Sequence, residues 1–254
     1  MWRFAAARAT GISHLKGGLP CQDRFACMVL PHDAFVAVIA DGAGSAAMGE
    51  FGAEIAVNTV VAQLRRALEE GRSDFGALMR EAAAQARKAV VSEAIKQGLE
   101  PRSFASTLLV LMLVPEGGAA LQIGDGVMVV SDGSNRWSWV FWPQRGEYAN
   151  TTYFLTDDDA IERIQVEPLP GAISDFALMS DGLEPLALHY ASRTVHNPFF
   201  NGMFRPLLQS DGPAEIFHLS ESLQRFLSSD QVGSRTDDDV SVILATRQNQ
   251  DHSE

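Results

Sequence analysis

Apolar residues alternate through residues 2–10, with Trp2, Phe4 and Ala6 on one side, and this period of two predicts a first strand. Arg24–Leu30 and Ala34–Ala40 predict two more, joined as a hairpin by the turn-forming Pro31-His32-Asp33. The period then lengthens. Ala56, Val60, Leu64 and Ala67 recur at helical spacing up to Gly71. Phe75, Leu78, Met79, Ala82, Ala86 and Val90 repeat the pattern after Ser73 or Asp74 as N-cap, with Gly98 near the stop. Each helix has one apolar and one charged face, so each should cover a sheet. Strand patterns return at 104–114, 119–123, Val127–Ser131, 137–142, 153–156, 161–166 and 176–179. A mostly helical stretch, 198–227, precedes a last strand at 240–245.

Strands, two helices, more strands, then helices and a closing strand do not make the regular alternation of a doubly wound fold. The connections between strands are short, as in antiparallel hairpins. An α+β sandwich with sheets inside and helices outside fits best. Residues 1–245 read as a single domain and 246–254 as a polar tail. With 254 residues, 46% of them hydrophobic, the chain can bury one sizeable core. The formal net charge of -12 argues against nucleic acid or an anionic membrane as partner. There is no apolar run long enough to span a bilayer and no signal-type N-terminus, so the expected location is cytoplasmic. The two cysteines, Cys21 and Cys27, imply no disulfide framework.

The aspartates change the picture. Asp41, Asp125 and Asp181 each follow an apolar run and each precede glycine, while Asp238 sits just before the last strand. One Asp-Gly is an ordinary turn. Several carboxylates gathered at strand ends would repel one another unless a cation were present. Oxygen ligands favour Mg²⁺ or Mn²⁺, and the six histidines show no zinc-type spacing.

Six segments, in order along nearly the whole chain, resemble the protein phosphatase 2C-like family of metal-dependent Ser/Thr phosphatases. They are Pro20-Cys21-Gln22-Asp23-Arg24, Ala40-Asp41-Gly42-Ala43-Gly44, Ala105-Ser106-Thr107-Leu108, Ile123-Gly124-Asp125-Gly126, Ser180-Asp181-Gly182-Leu183 and Asp238-Asp239-Val240-Ser241-Val242. The start, Gly11-Ile12-Ser13-His14, is similar to a compact bacterial branch of the family. The resemblance implies a four-layer α/β/β/α sandwich of two stacked antiparallel sheets. It implies two Mn²⁺ or Mg²⁺ ions, with Asp41 bridging them, the Gly42 carbonyl on one, and Asp181 and Asp238 on the other. Asp23 would act through metal-bound water, and Asp125 with Asp181 would hold a weaker third ion.

The implied reaction is hydrolysis of phosphoserine or phosphothreonine on proteins, by a water or hydroxide between the metals attacking phosphorus in line. The implied partners are a phosphorylated protein and, as its counterpart, a Ser/Thr kinase. A cysteine phosphatase would need Arg six residues after its nucleophile, where this chain has Cys27 after Cys21. Asp157-Asp158-Asp159 and Asp237-Asp238-Asp239 lie too late for an aspartate-nucleophile enzyme.

The chain departs from the family pattern in several places. Gly18 stands where the family often has a phosphate-gripping Arg, leaving His14 or Lys16 for that task. Gln22 replaces a carboxylate, Ala43 replaces a His, and Asp239 replaces an Asn that follows the last ligand. The added charge of Asp239 would either strengthen metal binding or face solvent. Trp137, Trp139 and Trp142 suit a packed strand face, and the stretch from Asp181 to Phe200 suits a flap beside the site. Two alternatives stay open: a pseudophosphatase acting as a regulatory binding module, and a phosphatase of small phosphate esters.

Overall fold

A computed structural model describes residues 1–146, 152–210 and 214–247. Two five-stranded antiparallel sheets stack face to face. One has the order Arg24–Leu30 (β2), Ala34–Ala40 (β3), Leu108–Val114 (β4), Gly117–Ile123 (β5) and Gln165–Pro170 (β8). The other has the order Trp2–Ala9 (β1), Val240–Arg247 (β12), Asp175–Met179 (β9), Val127–Ser131 (β6) and Ser138–Phe141 (β7). Gly49–Glu69 (α2) and Phe75–Lys96 (α3) pack on the first sheet; Asn197–Leu208 (α6) and Phe217–Leu227 (α7) pack on the second. Short helical turns lie at Ile12–Gly17 (α1), Ala160–Arg163 (α4), Glu184–Ala187 (α5) and Asp230–Gly233 (α8). Leu188–His189 (β10) and Thr194–Val195 (β11) form a small separate hairpin. This is the four-layer sandwich that the resemblance implied.

The sequence periods explain the layers. Ala53, Ala56, Val57, Val60 and Leu64 of α2 are buried against the first sheet, as are Leu78, Met79, Ala82, Ala86 and Val90 of α3. Asp74 caps α3 by accepting the Ala77 N–H at 3.2 Å, and Gly98, at φ +70°, follows its end. Between the sheets, Trp2, Phe4, Phe35 and Phe176 meet at ring separations of 5.1–5.5 Å, mostly edge to face. Burial of each such ring contributes about 2–3 kcal/mol, more than an exposed ion pair provides.

Strand register sets the site. Ile39 pairs with Leu109, and Leu108 pairs with Ile123, so the end of β3, the start of β4 and the end of β5 share one rim. In the other sheet Met179 pairs with both Val242 and Val127, which brings the end of β9 to the starts of β12 and β6.

Some expected elements differ. The strand expected from 104 begins at Leu108; Pro101–Phe104 is a 3-10 turn opened by Pro101, and 105–107 wrap the Asp41 loop instead. Residues 153–156 are a turn, not a strand, because Asp157 accepts the Phe154 N–H at 2.8 Å. The strand expected at 161–166 is split into α4 and β8. The last strand continues to Arg247, since Thr246 bonds Asp175 and the Arg247 N–H reaches Ser174. Residues 147–151 lie outside the described residues, as does 248–254 of the tail.

Candidate metal centre

The Asp41 loop is clamped by backbone. The Asp41 N–H donates to Thr107 Oγ1 at 3.0 Å, the Thr107 N–H returns to the Asp41 carbonyl at 2.8 Å, and the Ala43 N–H reaches the Ala105 carbonyl. A Cβ on Gly42 would stand 2.5 Å from the Gly49 carbonyl carbon, and one on Gly182 would stand 2.3 Å from the Asp239 carbonyl oxygen. Neither glycine has positive φ. Both are required because neighbouring backbone passes where a side chain would be, which fixes the aspartate beside each.

Burial raises the Asp41 carboxyl well above the usual range, and the charges of Asp23, Asp181 and Asp238 add to it. Asp181 is pushed up to about 6, by burial first and then by Asp238. Asp125 is pushed up to about 7 by burial and by Asp181, with the Thr152 hydroxyl opposing. Asp23, fully buried, is also raised to about 7 by burial; the Ser180 hydroxyl pulls it back and Asp239 pushes it up. Asp238 stands at the open rim, its Oδ1 accepting the Asp239 N–H at 2.8 Å.

A cleft of about 420 Å³ opens beside this group, lined by Asp125, Asp181, Glu184, Asp237 and Asp238, with Arg145 as its lining cation among the described residues. Neither His14 nor Lys16 lines it. His14 is buried on α1 with Nδ1 2.8 Å from Asp239 Oδ2, and its Nε2 lies towards Gly44. Lys16 is exposed. Asp239 neither faces solvent nor opens on the cleft. It is buried, and it accepts the Gly11 N–H at 2.7 Å and the Gln22 N–H at 2.6 Å besides holding His14. Arg145 and the anchoring role of Asp239 escaped the sequence reading; three consecutive aspartates at 237–239 were the only hint of the second.

The donors suit a hard divalent cation, being carboxylate and carbonyl oxygens alone. Asp181 Oδ1 and both oxygens of Asp23 are buried without a hydrogen bond of ordinary geometry, so positive charge is missing where they point. Among the described residues no three His, Cys, Asp or Glu side chains stand together as a finished cage.

The sequence profile described as "Protein phosphatase 2C" matches residues 10–228. The chain is 35% identical over 249 residues to serine/threonine-protein phosphatase 3 of Escherichia coli (strain K12), covering 96% of this chain and 98% of that one. The chain belongs to the protein phosphatase 2C family. That family consists of metal-dependent serine/threonine protein phosphatases, and the chain is one of these enzymes. Among solved structures, the Mycobacterium tuberculosis phosphatase PstP/Ppp superposes with a TM-score of 0.66 at 16% identity, over 98% of this chain and 99% of that one. Stp1 from Staphylococcus aureus does so with 0.64 at 15% identity, over 98% and 96%. At such identities these two show that the phosphatase 2C fold is shared. The six motifs of this phosphatase 2C chain lie at the strand ends just described or on the loops beside them.

Proposed function

We propose that the chain hydrolyses phosphoserine and phosphothreonine on proteins with two divalent ions, Mn²⁺ or Mg²⁺, at the Asp41 rim. Asp41 would bridge the ions, with the Gly42 carbonyl on one and Asp181 and Asp238 on the other. Asp23 would support them from behind through water, and Asp125 with Asp181 would hold a weaker third ion. The observation that carries this reading is the meeting of strand-end aspartates from both sheets, Asp41 after β3 and Asp181 after β9, close enough that the charge of Asp181 raises the Asp41 carboxyl. Bound ions supply charge for the phosphoryl oxygens and bring a water's pKa down towards neutrality.

The chain's own residues position and exclude. Thr107 and Gly42 fix the backbone at Asp41, and Asp239 ties Gly11, His14 and Gln22 together beside the site. No thiol competes as nucleophile: burial pushes Cys21 and Cys27 up to about 12. The incoming oxygen would be that of a water held at the metal site. Residues 1–247, through the end of β12, would act as one catalytic unit. The free thiols Cys21 and Cys27 fit a cytoplasmic site of action opposite a Ser/Thr kinase. Among the described residues no helix is long and apolar enough to cross a membrane.

The test is phosphate release from a phosphothreonine peptide. Release should depend on added Mn²⁺ or Mg²⁺ and should fall by about 1,000-fold in Asp41→Asn. An undiminished rate in excess chelator would sink the reading.

A further inference from the structure

Outward from the cleft, starting at Arg145, runs a line of alternating cations and aromatic rings that none of the six motifs contains. Arg145 lines the cleft with Asp125, Asp181 and Asp238. Its guanidinium is held by Glu184 at 3.3 Å and lies 4.5 Å from the centre of the Tyr190 ring. Tyr190 meets Trp142 edge to face at 5.1 Å, and Trp142 meets Trp139 at 5.7 Å. Arg193 sits over both indoles, 5.2 Å from Trp142 and 6.0 Å from Trp139, and the Trp139 Nε1–H donates to its carbonyl at 3.1 Å. Tyr190 and Arg193 bound the turn of the β10–β11 hairpin, so this hairpin, packed on the edge of the second sheet, carries the strip outward from Arg145, the member of it that lines the cleft. Tyr190 and Trp139 keep 36% and 38% of their surface exposed, large fractions for rings in contact with others. Among the described residues Arg193 makes no ion pair.

We propose that Arg145, Tyr190, Trp142 and Arg193 form a substrate-docking strip, taking the phosphate at Arg145 and a neighbouring carboxylate side chain of the same protein segment at Arg193. The occupant is a phosphorylated segment with an acidic residue beside its phosphoserine or phosphothreonine; this rests on the function proposed above. Two features select it. The strip is continuous with the cleft, because Arg145 belongs to both. Its charge is also opposite to its surroundings: the cleft holds five carboxylates and the chain carries -12, so two guanidiniums fixed on rings are the local attraction for an anion. Glu184 and Tyr190 hold Arg145 in place, so little side-chain freedom is lost on binding.

The probes are peptides carrying a non-hydrolysable phosphonate in place of phosphoserine, in a glutamate-flanked and an alanine-flanked series, titrated onto the Mn²⁺-loaded protein. The intact protein should bind the best glutamate peptide about tenfold more tightly than its alanine counterpart. Arg193→Ala should erase that difference, and Arg193→Lys should keep part of it. Arg145→Ala should weaken both series about equally, by roughly 10- to 100-fold. Thermal melts of each variant control for folding. A glutamate preference that is absent from the intact protein, or that survives Arg193→Ala, overturns the strip, as does unchanged binding in Arg145→Ala. Preference without phosphate release from the hydrolysable peptide would instead overturn the hydrolytic reading and leave the strip standing.

Discussion

The floor of the cleft and its outer wall are held by different kinds of contact. Asp41 and Asp181 sit at strand ends from two stacked sheets, each locked by a glycine whose Cβ would strike backbone. Arg145, Tyr190, Trp142 and Arg193 come from the loop after β7 and from a two-residue-per-strand hairpin, held by ring contacts and one ion pair. A rigid acidic floor suits a reaction that tolerates little displacement of its ligands. A wall of aromatic and guanidinium groups suits recognition, where a partner's identity can change without touching the chemistry. The family motifs fall on the floor and its supports, and none of the six includes Trp142, Arg145, Tyr190 or Arg193.

The contrast can be broken by mutation. The largest effect is expected from Asp239→Ala, which leaves two buried N–H groups and His14 without their acceptor. It should cost about 3 kcal/mol or more in urea unfolding, and a loss below about 1 kcal/mol would show that the floor is not braced through this residue.

A pH effect of intermediate size should separate floor from wall. The carboxyls of Asp23 and Asp125 are raised from 3.8 to about 7, and that of Asp181 to about 6. A raised carboxyl binds its proton more tightly in the folded state. Its stabilisation is therefore complete below the unfolded value and is lost as pH rises through the folded one. In chelator, the melting temperature should fall between about pH 4 and about pH 7 and then level off, whereas Mn²⁺ should reduce or reverse that slope. Exposed carboxylates such as Glu81, lowered by Arg72, work in the opposite sense but are screened by solvent. A flat profile in chelator would show that the floor carries no such strain.

The smallest effect is expected from Tyr190→Ala, which removes the ring beneath Arg145. KM for a phosphopeptide should rise about threefold with kcat within about twofold, and metal affinity should stay level by calorimetry. A fall in kcat with constant KM would place Tyr190 with the floor.

The floor was legible in the sequence because its signals are local: an apolar run, an aspartate, a glycine. Even there the reason for the glycines was not, since the contact of Gly182 with Asp239 joins residues far apart in the chain. The wall was illegible because Arg145 becomes a cleft residue only when the hairpin after Asp181 folds back beside it. Trp137 does pack inward on Phe200 and Phe204, as alternate spacing suggested, but Trp139 turns outward to meet Arg193. His14 looked like a phosphate ligand from its motif, yet Asp239 draws its ring into the interior. Such outcomes depend on partners more than 40 residues away in the chain.

The pairing of β1 with β12 has a consequence in time. Trp2 lies opposite Arg247, and Asp238 stands two residues before β12. The second sheet therefore has its first strand at one end of the chain and that strand's neighbour at the other. During synthesis the first sheet and its two helices can assemble early, while β1 waits for almost the whole chain. The Asp41 rim gains Asp238 only at that last step, so a partly made chain holds an incomplete site in which the second sheet still lacks the strand joining β1 to β9.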